Sequence, residues 1–514
     1  MNIGHYLALN ARRHPEKLAL THDDRAYTYE DLNRTVNRMA NGLRELGIQK
    51  GEKVALMLAN TESFPIAYYG LAKIGAVVVP MNFRLVAGEI SYILRQSESV
   101  AVIADEGFEK IILEAKTDAP DLRHVIVAPA AGLEGHLSFS DILSAGEHEP
   151  GIAVLPEDDL QILYTSGTTG RPKGALFDHM RTLKGNIAFT GTLGFSVDDR
   201  FLHVAPFFHS AQLNIFLNPG MFLGLSHFVM REFNPVKVLE AIEKYRITYF
   251  FGVPTMYNMM IQASKSGDFD LSSIRSCAYG AAPMAAPLVR QSMDLFKTDR
   301  FYSLAGLTEG GPSGVYLSPD DHRTKIGCSG KHPLLLTEAR LVDTDGNQPP
   351  AGVPGELLLR SELMMKQYYK QEAETAETIV DGWLHTGDVA VMDEDGFMTL
   401  VDRIKDMIIS GGENIYSVEV ENALYKLPKV LEAAVVGILD PDWGERVCAV
   451  VVLKPGESAD VREIQDFCRL HMAGYKIPRS VVFVDSLPRN ASGKLLKYEI
   501  RSRLRERQTH ARTA

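Results

Sequence analysis

The chain has 514 residues, 45% of them apolar, and a formal net charge of −11. This length and apolar content support a large buried core and more than one domain. The acidic balance argues against a broad nucleic-acid surface and confines anionic ligands to local basic pockets. Cys277, Cys328, Cys448 and Cys468 are widely spaced, with no paired metal-ligand pattern, and read as free thiols of a reducing compartment. The first residues, MNIGHYLALNARRHPEK, have charges too early for a secretory signal, and no window reads as a membrane span, so the expected location is cytoplasmic.

In chain order, Thr28 and Asp31 form a capping pair ahead of Leu32, Val36, Met39, Leu43 and Leu46 at helical spacing, and Gly47 is placed to end that helix. Strands are then predicted at 54–58, 77–79 and 100–103, with helices at 65–74 and 89–96 between them. This alternation predicts an α/β layered body with largely parallel sheets. From about Gly330 the segments become short and strand-like, at 339–342, 355–359 and 398–401. Turn signals at Asp345-Gly346, Pro349-Pro350 and Asp395-Gly396 separate them, which predicts a β-rich subdomain. The last part predicts a small α+β domain, with helices at 417–425 and 461–470 and strands at 433–436, 447–453 and 481–484.

One stretch stands apart from this pattern. The apolar run Leu160, Ile162, Leu163 and Tyr164 leads into Thr165, Ser166, Gly167, Thr168, Thr169, Gly170, Arg171, Pro172, Lys173 and Gly174. Its glycines let backbone N–H groups approach an anion, its hydroxyls add donors, and Lys173 adds a positive charge, so the loop suits phosphate. The spacing differs from the P-loop pattern, because only two residues separate Gly167 from Gly170 and Pro172 precedes Lys173. Further along stand Thr308-Glu309 within AGLTEG, Asp388 within WLHTGD, Asp402-Arg403, the paired glycines Gly411-Gly412, and Lys494 within PRNASGK. A carboxylate such as Glu309 can hold a hard cation beside phosphate, and Asp388 can accept from two adjacent hydroxyls of a sugar.

Together, and in this order, these motifs resemble the AMP-forming adenylating enzymes, the superfamily of acyl-CoA synthetases, carrier-loading adenylation domains and luciferases. The resemblance implies an N-terminal adenylate-forming domain over 1–402, a mobile lid domain over 403–514, and a hinge at Asp402. It implies ATP and Mg²⁺ as requirements and CoA as cosubstrate. Thr165, Ser166, Gly167, Thr168, Thr169, Gly170 and Lys173 are implied to hold phosphates, with Glu309 and Thr165 on the magnesium side. Gly280, Ala281, Ala282, Pro283, Ala305, Gly306, Leu307 and Thr308 are implied around the nucleotide, Asp388 and Arg403 on the ribose, and Gly411 and Gly412 along the pantetheine arm of CoA. Lys494, Thr308, Glu309 and His209 are the implied catalytic group. Ala305 stands where the family commonly has a tyrosine stacked on adenine, so another wall is expected there, involving Tyr279 or Tyr302.

The apolar residues near His209, namely Phe207, Phe208, Met256, Tyr257 and Met284, fit either a cavity wall or core. The acid expected on this reading is a medium- or long-chain fatty acid. An aromatic acid, a carrier-protein acceptor and a silent nucleotide-binding protein are the alternatives. No nucleic-acid partner or integral membrane segment is expected, and a homodimer is the expected assembly on general grounds.

Overall fold

The computed structural model of the protein describes residues 2–165, 172–441, 443–489 and 495–513, with side chains described through 506. The chain divides into two compact units: Met1–Ala339 with Leu359–Leu384, and Arg340–Leu358 with His385–Ala514.

The first unit is built on two large sheets. One has nine strands in the order His332–Pro333, Gly314–Leu317, Phe301–Gly306, Ser276–Gly280, Tyr249–Gly252, Arg200–His203, Ser226–Val229, Leu18–His22 and Arg25–Thr28. Its middle strands are parallel and its outer pairs antiparallel. The other has eight strands, Gln367–Tyr368, Lys173–Asp178, Asp159–Thr165, Val77–Pro80, Lys53–Met57, Ser99–Asp105, His124–Ala128 and Leu137–Ser138. The inner strands of this sheet are parallel, short and mostly apolar, as suits a sheet covered on both faces. Leu160, Ile162 and Leu163, for example, are all buried.

The predicted α/β body is therefore present, and most predicted elements lie within two residues of their expected bounds. Thr28 and Asp31 make a reciprocal capping box on helix Tyr29–Glu45. Gly47 follows with φ of +90°, a left-handed conformation that suits glycine.

The β-rich region forms a five-stranded sheet of Thr337–Val342, Pro354–Ser361, Trp383–Met392, Ile379–Val380 and Met398–Arg403. The second unit also carries its own sheet, Glu413–Ile415, Ile408–Ser410, Gly444–Leu453, Val430–Asp440 and Ser480–Phe483. Helices Ser417–Leu424 and Val461–Arg469 belong to this α+β body. Its core is aliphatic, with Ile408, Ile415, Val420, Val435, Ala449 and Ile464 fully buried. Among the described residues no helix is long and apolar enough to cross a membrane.

Candidate active site

Strand Asp159–Thr165 of the eight-stranded sheet ends at the hydroxyl-rich stretch, and Lys173–Asp178 returns antiparallel beside it with Thr165 opposite Lys173. Gly174 makes this pairing possible: a Cβ there would lie 2.7 Å from Cγ2 of Ile162. Ser166, Gly167, Thr168, Thr169 and Gly170 lie outside the described residues. Thr165 and Lys173 at the two ends are described, and Thr165 meets the next motif directly.

That motif hangs from the nine-stranded sheet. Strand Phe301–Gly306 runs into the single turn Thr308–Gly310, and its partner Gly314–Leu317 returns antiparallel with Gly306 opposite Gly314. Thr165 donates from Oγ1 to Oε1 of Glu309 at 3.3 Å, so the two sequence motifs, 144 residues apart, converge on one carboxylate. The phenol of Tyr368 donates to the same oxygen at 2.9 Å. The ammonium of Lys173 stands over the Tyr368 ring, 5.0 Å from its centroid. The main chain of Met365 donates to the Glu309 carbonyl at 2.9 Å. Hydroxyl and carboxylate oxygens are hard donors. Among the described residues no group of three acidic, histidine or cysteine side chains could hold a metal alone. The oxygens of Glu309 and Thr165 are of the kind that would suit a magnesium ion.

Thr308, beside Glu309, is 2.9 Å from the hydroxyl of Ser210, which is buried. Ser210 in turn follows His209 at the entry to the π-helix Ala211–Leu217, an irregular winding found often at functional sites. The main-chain N–H of Ala211 donates to Nδ1 of His209 at 3.3 Å. Gly280 ends the neighbouring strand, and a Cβ there would lie 2.6 Å from the Leu304 carbonyl. Ala281 adopts φ of +66°, a conformation that strains a residue with a side chain, and Ala281, Ala282 and Pro283 form an exposed loop beside Leu304 and Ala305.

The structure corrects one expectation. Neither Tyr279 nor Tyr302 supplies a face for a base at Ala305. Tyr279 is 2% exposed and its hydroxyl pairs with Nε2 of His322 at 3.1 Å, while Tyr302, 5% exposed, belongs to an aromatic core cluster. Both rings sit in the sheet because large apolar surface is worth more there than at a wet rim. Phe207, Tyr257 and Met284 are likewise core: Phe207 stacks on Phe64 at 5.3 Å, and the Tyr257 hydroxyl donates to the Ala278 carbonyl at 2.8 Å. Phe208 and Met256 are only partly buried, Phe208 packing edge-on against Phe83. Ala211 and Leu304 are also partly buried. They lean on a cluster that includes Phe216, Phe251, Tyr249 and Phe195.

In the second unit, Asp388 and Arg403 face each other in the register of their strands, with Nε of Arg403 2.8 Å from Oδ1 of Asp388. The N–H of Asp388 donates to the Thr386 hydroxyl at 3.0 Å, so the acid is held from its main chain. Asp402 is buried, and its carboxylate accepts from the main-chain N–H groups of Arg403 at 2.7 Å and Ser417 at 2.5 Å, tying the strand end to the start of a helix. Gly411 and Gly412 have φ of +62° and +84° and make the two-residue turn between strands Ile408–Ser410 and Glu413–Ile415. Lys494 lies outside the described residues.

Tyr368 was not legible as a site residue: it sits in no motif, and only the pairing of Gln367–Tyr368 with Lys173–Asp178 brings it to Glu309.

The chain matches the profile of AMP-binding enzymes over residues 7–369 and that of the AMP-binding enzyme C-terminal domain over residues 419–494. It is 38% identical to a feruloyl-CoA synthase of an Amycolatopsis species, covering 98% of this chain and 99% of the relative. It is 34% identical to a long-chain-fatty-acid–CoA ligase of Mycobacterium tuberculosis, over 97% and 98% of the two chains. Among solved structures it resembles an anthranilate CoA ligase in complex with anthranoyl-AMP, with a TM-score of 0.90 and 30% identity over 98% of this chain and 97% of that one.

Proposed function

Since the chain belongs to the AMP-binding enzymes and is an acid–thiol ligase of the adenylate-forming kind, we propose that its acid is aromatic. In the first step a carboxylate oxygen attacks the α-phosphorus of ATP, the bond to the bridging oxygen breaks, and pyrophosphate leaves, giving an acyl adenylate. In the second the CoA thiolate attacks the acyl carbon and AMP departs. A carboxylate oxygen is a poor leaving group, and adenylation replaces it with a phosphate ester. The protein's work is then to position the reactants and stabilise negative charge.

In this reading Thr165 and Lys173, with Ser166, Gly167, Thr168, Thr169 and Gly170, take the phosphates, and Thr308 takes the α-phosphate. Glu309 and Thr165 would hold the magnesium ion that neutralises the pyrophosphate. Asp388 and Arg403 take the ribose hydroxyls. Lys494 bridges the acyl and phosphate oxygens as they crowd together. A rotation about Asp402 then withdraws Lys494 and brings Gly411 and Gly412 to the pantetheine arm. His209 orients the acid.

The observation that carries the choice of acid is the apolar surface beside His209 and Thr308. Phe207, Tyr257 and Met284 are consumed by the core, which leaves Phe208, Met256, Ala211 and Leu304 partly exposed, the last two packed on a cluster of rings in which Phe216 and Phe251 stack at 4.7 Å. Such a wall suits the flat face of an aryl acid. The likeness to ligases of feruloyl and anthranoyl groups supports the same reading. The test is a panel of carboxylic acids scored for AMP release with CoA and Mg-ATP. Highest kcat/KM for benzoate- or cinnamate-type acids is expected. Highest kcat/KM for medium- or long-chain fatty acids would restore the expectation drawn from sequence.

A further inference from the structure

Tyr368 is buried, yet its ring and its hydroxyl are both committed to groups of the phosphate site. The hydroxyl donates to Oε1 of Glu309 at 2.9 Å, and that same oxygen accepts from Thr165 at 3.3 Å. Two donors on one carboxylate oxygen fix the plane of the group. Oε2 is left with no hydrogen-bond partner from the described residues. The ring face meanwhile carries the Lys173 ammonium at 5.0 Å.

The segment that presents Tyr368 is itself pinned on both sides. Met365 donates its N–H to the Glu309 carbonyl at 2.9 Å. Lys366 donates to the Leu176 carbonyl at 2.8 Å, and Tyr369 to the Gly174 carbonyl at 2.7 Å. The N–H of Tyr368 donates to the Thr375 hydroxyl at 3.0 Å, whose own proton goes to the Gln371 carbonyl at 2.7 Å. A five-residue clip, Met365 to Tyr369, thus joins the strand bearing Lys173 to the turn bearing Glu309 and carries Tyr368.

We propose that Tyr368 is a positioning residue that turns the Glu309 carboxylate so that Oε2 faces the magnesium ion of the bound nucleotide. This inference rests on the reading of Glu309 given above and adds a residue to it. Tyr368 itself touches neither the metal nor the reacting atoms. A packing role would be served by the ring alone, whereas a positioning role needs the phenolic proton. Without it, the carboxylate keeps only the longer bond from Thr165 and rotates more freely, so the metal-bound state is the one that loses.

Tyr368→Phe keeps the ring under Lys173 and removes only the hydroxyl. Calorimetric titration of the full chain with a non-hydrolysable ATP analogue, in magnesium and again in EDTA, reads the effect without turnover. We expect affinity in magnesium to fall roughly tenfold, as for loss of a hydrogen bond to a charged group, with affinity in EDTA unchanged. The same substitution in a Glu309→Gln background should add nothing. Equal affinities for Tyr368→Phe and the parent in magnesium, or equal losses in magnesium and EDTA, would overturn the proposal. If Tyr368→Phe fails to fold, Thr375→Val, which loosens the clip, is read by the same titration and must show the same selective loss. A parent chain whose affinity is indifferent to magnesium would instead overturn the assignment of Glu309, a separate outcome.

Discussion

Gly314→Ala tests how tightly the sheet fixes the nucleotide motif. Gly314 is buried opposite Gly306, and a Cβ built on it would lie 1.9 Å from the Ala305 carbonyl oxygen and 2.7 Å from Cα of Gly306. Both obstacles are main chain, so no side chain can swing away. The strands Phe301–Gly306 and Gly314–Leu317 must part by about an ångström before the methyl fits, which takes their bonds at that end out of hydrogen-bond range. Overpacking costs about 1–3 kcal/mol and each lost bond about 0.5–1.5 kcal/mol. The expected loss is therefore roughly 2–5 kcal/mol, with Glu309 displaced from Thr165 and Thr308 from Ser210. Gly88→Ala is the control: Gly88 is exposed in helix Ala87–Ser97 and its added methyl meets nothing within 4 Å. The control should be neutral or more stable by about 0.5–1 kcal/mol. Urea unfolding and titration with the ATP analogue read both variants. A Gly314→Ala chain as stable as the parent, with unchanged nucleotide affinity, would refute the reasoning.

Three further outcomes are open to measurement. Burial holds His179 down to about 4, His227 down to about 3, and His203 well below its usual value. Unfolded, these rings bind protons below about 6.5, so the unfolded state takes up more protons as pH falls from there toward 4, and stability must drop across that interval. For His179 the loss at pH 5 should be roughly 2 kcal/mol relative to pH 7, measured by urea unfolding; flat stability between the two would contradict it. Ala305→Tyr should restore an aromatic face for the base and tighten ATP roughly fivefold or more, as stacking on a base is worth about 1–3 kcal/mol. An unchanged or raised Kd would place the adenine elsewhere. Lys494→Ala should suppress adenylate formation and spare thioester formation from supplied acyl adenylate; equal losses in both half-reactions would deny Lys494 its division of labour.

Much of the fold was legible because a buried parallel strand leaves an unbroken apolar run and a capped helix a periodic one, as at 53–57 and 29–45. What local pattern cannot carry is order in the sheet: Leu18–His22 pairs with Ser226–Val229, some two hundred residues away, with no signal in either strand. The site shows the same split. Thr165, Lys173, Thr308 and Glu309 stand out in the sequence because glycines, hydroxyls and charges concentrate there, and the structure brings Thr165 and Glu309 together. Tyr368 was unreadable, since a tyrosine in a two-residue edge strand looks like any other partly apolar residue. Tyr279 and Tyr302 misled for the opposite reason: alternation tells that a strand residue faces a core, not which of two faces is the wet one.

The central claim is that this chain turns an unreactive carboxylate into a mixed anhydride with AMP. Exchange of radiolabelled pyrophosphate into ATP, run without CoA, reads that step alone. Label appearing in ATP only when an acid is supplied, strongest with an aryl acid and lost in EDTA, is the predicted result. No exchange with any acid from a folded, nucleotide-binding protein would contradict the claim.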